Sequence, residues 1–165
     1  MTLTGTEEVS ADLAAAESLP NGLALIEHDR LQAHADSVAT SLCLQDIDGD
    51  GNCLFRSVGC QTARGEEDHK RLRATVVEEV QKNSRAYAEF FAGDEMDAWL
   101  KRMKGTAWGD NVALQALLNV LQRSALVWRK ASDQRPTPML PCPFNATQVL
   151  PTPLYSLLDE SRPGC

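Results

Sequence analysis

The run from Asp48 to Arg56 constrains this chain more than any other part of its sequence. It reads Asp-Gly-Asp-Gly-Asn-Cys-Leu-Phe-Arg, so Cys53 follows a tight, glycine-bearing loop and precedes an apolar-periodic segment. A thiol at the start of a helix feels the positive end of the helix dipole and nearby backbone N–H groups, which favour the thiolate. The same N–H groups can stabilise an oxyanion. The run therefore predicts half of a thiol-nucleophile site.

A buried structural thiol is the alternative interpretation of Cys53, because the interior is the commonest place for a free cysteine. The residues alone leave these two interpretations open. Cys60 lies in the same apolar segment and is assigned to the core. Cys43, Cys142 and Cys165 carry no feature that favours reactivity.

The same loop partly matches a calcium-binding EF-hand. Asp46, Asp48, Asp50 and Gly51 stand at positions 1, 3, 5 and 6 of that pattern. Position 12 requires a bidentate carboxylate, and Ser57 stands there. We therefore disfavour calcium. The chain has no CxxC pair, which argues against zinc, and we expect no metal and no other cofactor.

Composition limits the partners and the compartment. The chain has 165 residues, the size of one domain, with 23 acidic and 16 basic side chains and a net charge of -7. An acidic chain without a basic block is a poor candidate for binding nucleic acid or an anionic membrane. Residues 1–18 carry no Lys or Arg, so they do not resemble a secretory signal. Together with five unpaired cysteines this predicts a cytoplasmic or nuclear protein, which we expect to be monomeric.

Apolar periodicity predicts helices over about 25–41, after Cys53, from about Asp68, over 96–103 and after an N-cap at Asp110. Strands are predicted at 124–128 and 154–158, with a proline-rich irregular loop over 129–153 and a short apolar strand at 42–44. This order indicates a small α/β fold with helices packed around a short sheet. Residues 1–41 form an acidic lead-in and a helix, and 42–165 form the domain.

Several polar side chains are expected to be solvated rather than functional. A thiol hydrolase needs a histidine base close to the nucleophile, but each histidine is flanked by charged or polar residues and is predicted to lie on the surface. The basic cluster of the helix from Asp68 is predicted to be a solvated face. The histidines are His28, His34 and His69. The basic cluster consists of Lys70, Arg71 and Arg73. The turn Trp108–Asp110 is assigned mainly to packing.

The run Asp50–Arg56 resembles the nucleophile motif of the ovarian-tumour (OTU) family of cysteine proteases, most of whose studied members are deubiquitinases. The stretch from Tyr87 through Gly105–Asp110 to Ala116 resembles the second block of that family, and 125–128 and 154–158 resemble its two central strands. The resemblance covers about 42–165. It implies an α+β fold of the papain type, with helices around a small central sheet.

The resemblance also implies roles for the residues of the first motif. Cys53 is the nucleophile, and Asp50 shapes the catalytic loop. The backbone amides of Asp50, Gly51, Asn52 and Cys53 form the oxyanion hole. The partner would be a conjugate of ubiquitin or a ubiquitin-like protein, cleaved after the C-terminal glycine of the modifier.

One element of the family pattern has no counterpart in these residues. In the family, the strand that follows the last turn carries a His-Tyr-Asn or similar triplet, whose histidine is the general base. No histidine of this sequence matches that position, and the turn 159–164 is followed only by Cys165. We therefore expect a domain truncated before that strand, whose own activity is weak. The alternative is a catalytically dead ubiquitin-binding module or a regulatory fragment with the same fold.

Overall fold

The computed structural model describes residues 22–38, 45–62, 65–129, 135–142 and 150–158. Within these ranges the chain forms six α-helices, two short 3₁₀ turns and three β-strands. In chain order the helices are α1 (Gly22–Val38), α2 (Cys53–Cys60), α3 (His69–Lys82), α4 (Ser84–Tyr87), α5 (Glu95–Met103) and α6 (Asn111–Leu121), and the strands are β1 (Arg123–Arg129), β2 (Thr137–Met139) and β3 (Leu150–Leu158).

The three strands form one mixed sheet in the order β2-β1-β3. Strand β1 is antiparallel to β2, with Leu126 opposite Pro138, and parallel to β3, with Leu126 opposite Tyr155. The prediction of an irregular loop over 129–153 is wrong in part, because β2 lies inside it and β3 begins at Leu150. The prolines favoured a loop prediction there. Strands β2 and β3 are the two edge strands of the sheet, where an outward-facing residue has no neighbouring strand to donate an N–H to, so proline is tolerated.

The larger core lies between the sheet and the helices α2–α6. Most of the apolar residues of these helices are buried against one another and against one face of β1. Members of this core include Phe55, Val58, Leu72, Val76, Val80, Trp99, Leu100, Met103, Leu114, Leu117, Leu118, Ala125 and Val127. Helix α6 begins where the sequence predicts, because the Asp110 side chain accepts a hydrogen bond from the Ala113 N–H at 3.0 Å.

Helix α1 covers the other face of the sheet. Leu31 and Ala35 pack against Leu126, which points away from the larger core because neighbouring strand residues alternate between faces. The His34 imidazole Nε2 and the Tyr155 hydroxyl lie 2.9 Å apart and join α1 to β3. The helix predicted over 25–41 is described over Gly22–Val38, and the strand predicted at 42–44 lies outside the described residues. The predicted division at residue 41 stays a prediction.

The described chain is helix-rich with one small mixed sheet, which is an α+β fold, as the family resemblance implies. None of the helices that the structure describes has the length and apolar character needed to cross a membrane.

Candidate active site

Cys53 is the first residue of α2, and the residues before it (48–52, the Cys53 loop) fold onto themselves. The Asp50 N–H donates to the Asp48 carbonyl at 3.0 Å, and the Asn52 N–H donates to the Asp50 carboxylate at 2.9 Å. The Arg56 N–H then donates to the Asn52 carbonyl at 2.9 Å, which starts the helix. The loop therefore delivers the thiol to the helix N-terminus, as the sequence predicted.

Asp50 shapes the inside of this loop. Its carboxylate accepts hydrogen bonds from the Arg56 guanidinium at 2.9 Å and from the Asn52 side-chain amide at 3.2 Å. The Arg56 bond, followed by those from Asn52, holds the pKa of Asp50 well below its usual range. Asp50 is therefore a carboxylate that ties the loop to α2.

Arg73 is a buried arginine beneath the Cys53 loop, and its side chain is only 7% exposed. Its guanidinium donates to the Asn52 side-chain oxygen at 3.1 and 2.9 Å and to the Gly51 carbonyl. Two further carbonyls, of Ala107 and Met103, accept from it at 2.9 and 3.3 Å. One side chain thus joins the Cys53 loop to the end of α5 and to the segment that follows it.

The prediction that the basic cluster is a solvated face is wrong for Arg73. Lys70 and Arg71 are exposed, but Arg73 points inward beside Leu72. Burial lowers the pKa of Arg73, and the nearby charges of Asp50 and Cys53 offset part of that effect. The guanidinium is tolerated there because carbonyl and amide oxygens surround it and because its Cζ lies 4.4 Å from the Phe55 ring centroid.

The segment between α5 and α6 (the 104–110 loop) packs directly on the Cys53 loop. Gly51 has a φ of +81° and lies so close to the Thr106 carbonyl that a Cβ would collide with it. A Cβ on Gly49 would lie 3.5 Å from the Trp108 ring, and one on Gly109 would lie 2.5 Å from Leu54. The sequence assigned the Trp108–Asp110 turn mainly to packing. The turn packs against the Cys53 loop and against Leu54 at the start of α2.

Asp110 anchors the far end of the 104–110 loop. Besides capping α6, its carboxylate accepts a hydrogen bond from the Trp99 indole N–H at 2.7 Å. Trp99 is buried in α5, so this bond joins the two helices that flank the loop. The loop is held at both ends, by Asp110 at one and by Arg73 at the other.

A groove of about 540 Å³ opens beside the Cys53 loop, between α3 and residues 103–106. Its floor includes Val77 and Met103, and Asn52 lies at its wall. Lys70 and Glu78 add charges of both signs to the walls. The Cys53 loop therefore borders an open groove at Asn52.

The three histidines occupy different environments. His28 is exposed, as predicted, with half of its side chain accessible and its Nδ1 3.6 Å from Asp29. The surface prediction is wrong for His69, which is 5% exposed at the start of α3, and for His34, which is half-buried against Tyr155. Flanking charges do not decide burial here, because His69 turns inward at the start of α3 and His34 meets Tyr155 on β3.

Among the cysteines of the described ranges, Cys53 and Cys60 are half-buried and Cys142 is exposed. Cys43 and Cys165 lie outside the described residues. In the part of the chain that the structure describes, no three His, Cys, Asp or Glu side chains cluster as a metal site would require.

Known proteins resemble this chain in sequence and in fold. The family model of the OTU-like cysteine proteases matches residues 48–145. Ovarian tumour domain-containing deubiquitinating enzyme 12 of Arabidopsis thaliana is 35% identical over 94 residues, 56% of this chain and 42% of the relative. Enzyme 11 of the same plant is 28% identical over 118 residues, 72% of this chain and 47% of the relative.

Among solved structures, the OTU domain of OTUD1 superposes with a TM-score of 0.55 at 20% identity, covering 70% of this chain and 78% of that one. This likeness shows the fold. The chain spans less than half the length of the two curated relatives. Because the family model matches more than half of the chain and includes the Cys53 loop, the protein belongs to the family of OTU-like cysteine proteases.

Proposed function

We propose that this chain is the thiol-hydrolase unit of a deubiquitinating enzyme, with Cys53 as its nucleophile. The observation that carries the proposal is the position of Cys53, at the first residue of α2 and behind a loop that two other segments hold in place. Helix N-termini favour a thiolate, which is the attacking form of cysteine. The names of the plant relatives support ubiquitin conjugates as the substrate class.

We propose the backbone N–H groups of Asp50, Gly51, Asn52 and Cys53 as the oxyanion hole, as the family resemblance implies. Two of these, the N–H groups of Asp50 and Asn52, donate within the loop to Asp48 and Asp50 respectively, so the loop itself fixes their direction. Such donors stabilise the negative oxygen of a tetrahedral intermediate, and removing one typically costs about 10²–10³ in rate.

The proposed reaction has two steps. The Cys53 thiolate attacks the carbonyl carbon of the last glycine of the modifier, and the amine leaves with a proton, so that a thioester remains. Water then attacks the thioester and releases the carboxylate of the modifier and the thiol. In the OTU family a histidine on a later strand shuttles the protons. This sequence has no histidine after β3, so water carries the protons in this chain and we expect its own turnover to be slow.

A ubiquitin derivative with a C-terminal electrophile tests this proposal, because labelling needs only modifier binding and a reactive thiol. We expect a covalent adduct that maps to Cys53 and is absent from Cys53→Ala. Cys60→Ala is the matched control, since Cys60 closes the same helix, and it should label like the wild type. An adduct on another cysteine would refute the site. Ubiquitin binding without any adduct would support the alternative of a non-catalytic binding module.

We also propose that the protein acts as a monomer in the cytoplasm or nucleus. The cysteines that the structure describes are free thiols, which is typical of a protein in a reducing compartment. Light scattering would show a mass near 18.1 kDa for a monomer, and imaging of a tagged chain would test the compartment.

A further inference from the structure

We infer that Arg73 is the positioning residue of the reaction proposed above: it fixes the Gly51–Asn52 peptide and places a guanidinium charge beside the start of the Cys53 helix. The inference rests on the proposed function only for its consequence in catalysis. Its structural basis is the set of contacts that Arg73 makes on both sides of Cys53.

The first part of the inference is geometric. Arg73 holds the carbonyl oxygen of Gly51 and the side-chain oxygen of Asn52 at once. A peptide plane held at its carbonyl cannot rotate freely, so the N–H groups around it keep their direction. The Asn52 side chain is held from its other end by Asp50, at 3.2 Å. Arg73 therefore acts on the loop directly and through Asn52.

The second part concerns charge. Arg73 contacts Asn52, the residue before Cys53, and stacks on Phe55, two residues after it. Burial lowers the pKa of Arg73, and the charges of Asp50 and Cys53 offset part of that effect. Interaction between two charges is mutual, so the guanidinium favours the ionised thiol. The charged side chains and histidines of the Cys53 loop, α2, the start of α3 (69–73) and the 104–110 loop are Asp48, Asp50, Arg56, His69, Lys70, Arg71, Arg73, Lys104 and Asp110.

A second buried arginine provides a matched control. Arg123 is 8% exposed, close to the value for Arg73, and also donates to backbone carbonyls. The carbonyls that accept from it include those of Gln61 at 3.0 Å, at the C-terminal end of α2, and of Pro153 at 3.3 Å, on β3. Replacing Arg123 removes a buried guanidinium of the same kind without touching the Cys53 loop.

The charge is tested by the pH dependence of Cys53 alkylation with iodoacetamide, measured in wild type, Arg73→Met and Arg123→Met at a temperature where all three are folded. We expect the midpoint to rise by about one pH unit in Arg73→Met, which slows alkylation about tenfold at neutral pH. Arg123→Met should lose thermal stability and keep the wild-type midpoint. An unchanged midpoint in folded Arg73→Met would overturn the inference.

The positioning is tested by hydrogen exchange in Arg73→Lys, which keeps the charge and also covers the case in which Arg73→Met does not fold. Lysine has no planar fork, so it cannot hold Gly51, Asn52 and Ala107 together. We expect faster exchange in peptides spanning 48–54, whereas Arg123→Lys should affect peptides around Gln61 and β3. If peptides spanning 48–54 exchange in Arg73→Lys at the same rate as in the wild type, the inference is overturned. Neither measurement uses ubiquitin. A failure of this inference can therefore be distinguished from a failure of the proposed function, which the electrophile labelling tests.

Discussion

Gly51 and the Thr106 carbonyl oxygen lie in such close contact that any Cβ at position 51 would collide with this oxygen. The contact joins the loop before Cys53 to the 104–110 loop, which are far apart in sequence. The contact also explains why the Cys53 loop needs glycine at position 51. Space and backbone conformation both exclude a side chain, because the φ of Gly51 is +81°.

Gly51→Ala is therefore expected to destabilise the protein more than Gly65→Ala, its matched control. Both glycines have nearly the same φ, +81° and +79°, but a Cβ at Gly65 would meet nothing within 4 Å. The left-handed conformation costs a non-glycine residue about 1–2 kcal/mol at either position. Overpacking adds about 1–3 kcal/mol at Gly51 alone. Urea unfolding measures the difference, and equal losses of stability would show that Thr106 yields to the methyl group.

Cys53 is expected to be the most reactive of the cysteines that the structure describes, although Cys142 is the exposed one. Reactivity follows the thiolate fraction, which the start of α2 and Arg73 both favour, rather than exposure alone. Competitive alkylation followed by mass spectrometry ranks the thiols in one sample. If Cys60 or Cys142 reacts well ahead of Cys53 in the folded protein, the assignment of the nucleophile fails.

Arg56→Gln is expected to lose stability at neutral pH and to converge on the wild type in acid. The Arg56 bond is the largest cause of the lowered pKa of Asp50. A carboxylate with a lowered folded-state pKa stabilises the fold above its unfolded pKa of about 3.9. The stabilisation by the Asp50 carboxylate declines as the pH falls below about 4. It is lost once the pH has fallen below the lower pKa that Asp50 has in the folded state. Unfolding of both proteins from pH 7 to acid measures this, and a gap that widens below pH 4 would contradict it.

Trp99 and Asp110 are expected to be energetically coupled. Asp110→Ala removes the α6 cap, which is worth about 1 kcal/mol, and leaves the buried Trp99 N–H without this acceptor, which costs about 1–3 kcal/mol more. Trp99→Phe removes only the N–H donor and part of the ring. In a double-mutant cycle, the losses should sum to more than the loss in the double variant. Additive losses would show that the bond of 2.7 Å carries no net stability.

Calcium is not expected to bind the Cys53 loop at micromolar concentrations. Ser57 offers no bidentate carboxylate at the closing position of an EF-hand pattern. The Asp50 carboxylate is already bonded to Arg56 and Asn52, and a cation would have to displace them. Calorimetric titration tests this, with Asp50→Asn as the control. Micromolar affinity in the wild type that Asp50→Asn abolishes would restore the calcium-binding interpretation.

Local features of this protein were readable from its sequence. The helix that starts at Cys53, the cap at Asp110 and the buried stripe of Leu72, Val76 and Val80 all follow from neighbours within a few residues. Capping and helical periodicity act over one or two turns, so a single sequence contains them. Resemblance to a known family added the proposal that Cys53 is the nucleophile, which spacing alone left open.

The tertiary structure decided which distant segments meet. Arg73 and Lys70 belong to one helix and one charge cluster, yet only Arg73 is buried, because carbonyls from the Cys53 loop, α5 and the 104–110 loop converge on it. In the same way, the Gln61 side chain bonds both backbone polar groups of Tyr155, at 2.6 and 2.7 Å, and so ties the end of α2 to β3. The burial of a polar side chain depends on partners that the folded chain brings together, and their separation along the chain hides them from any local pattern.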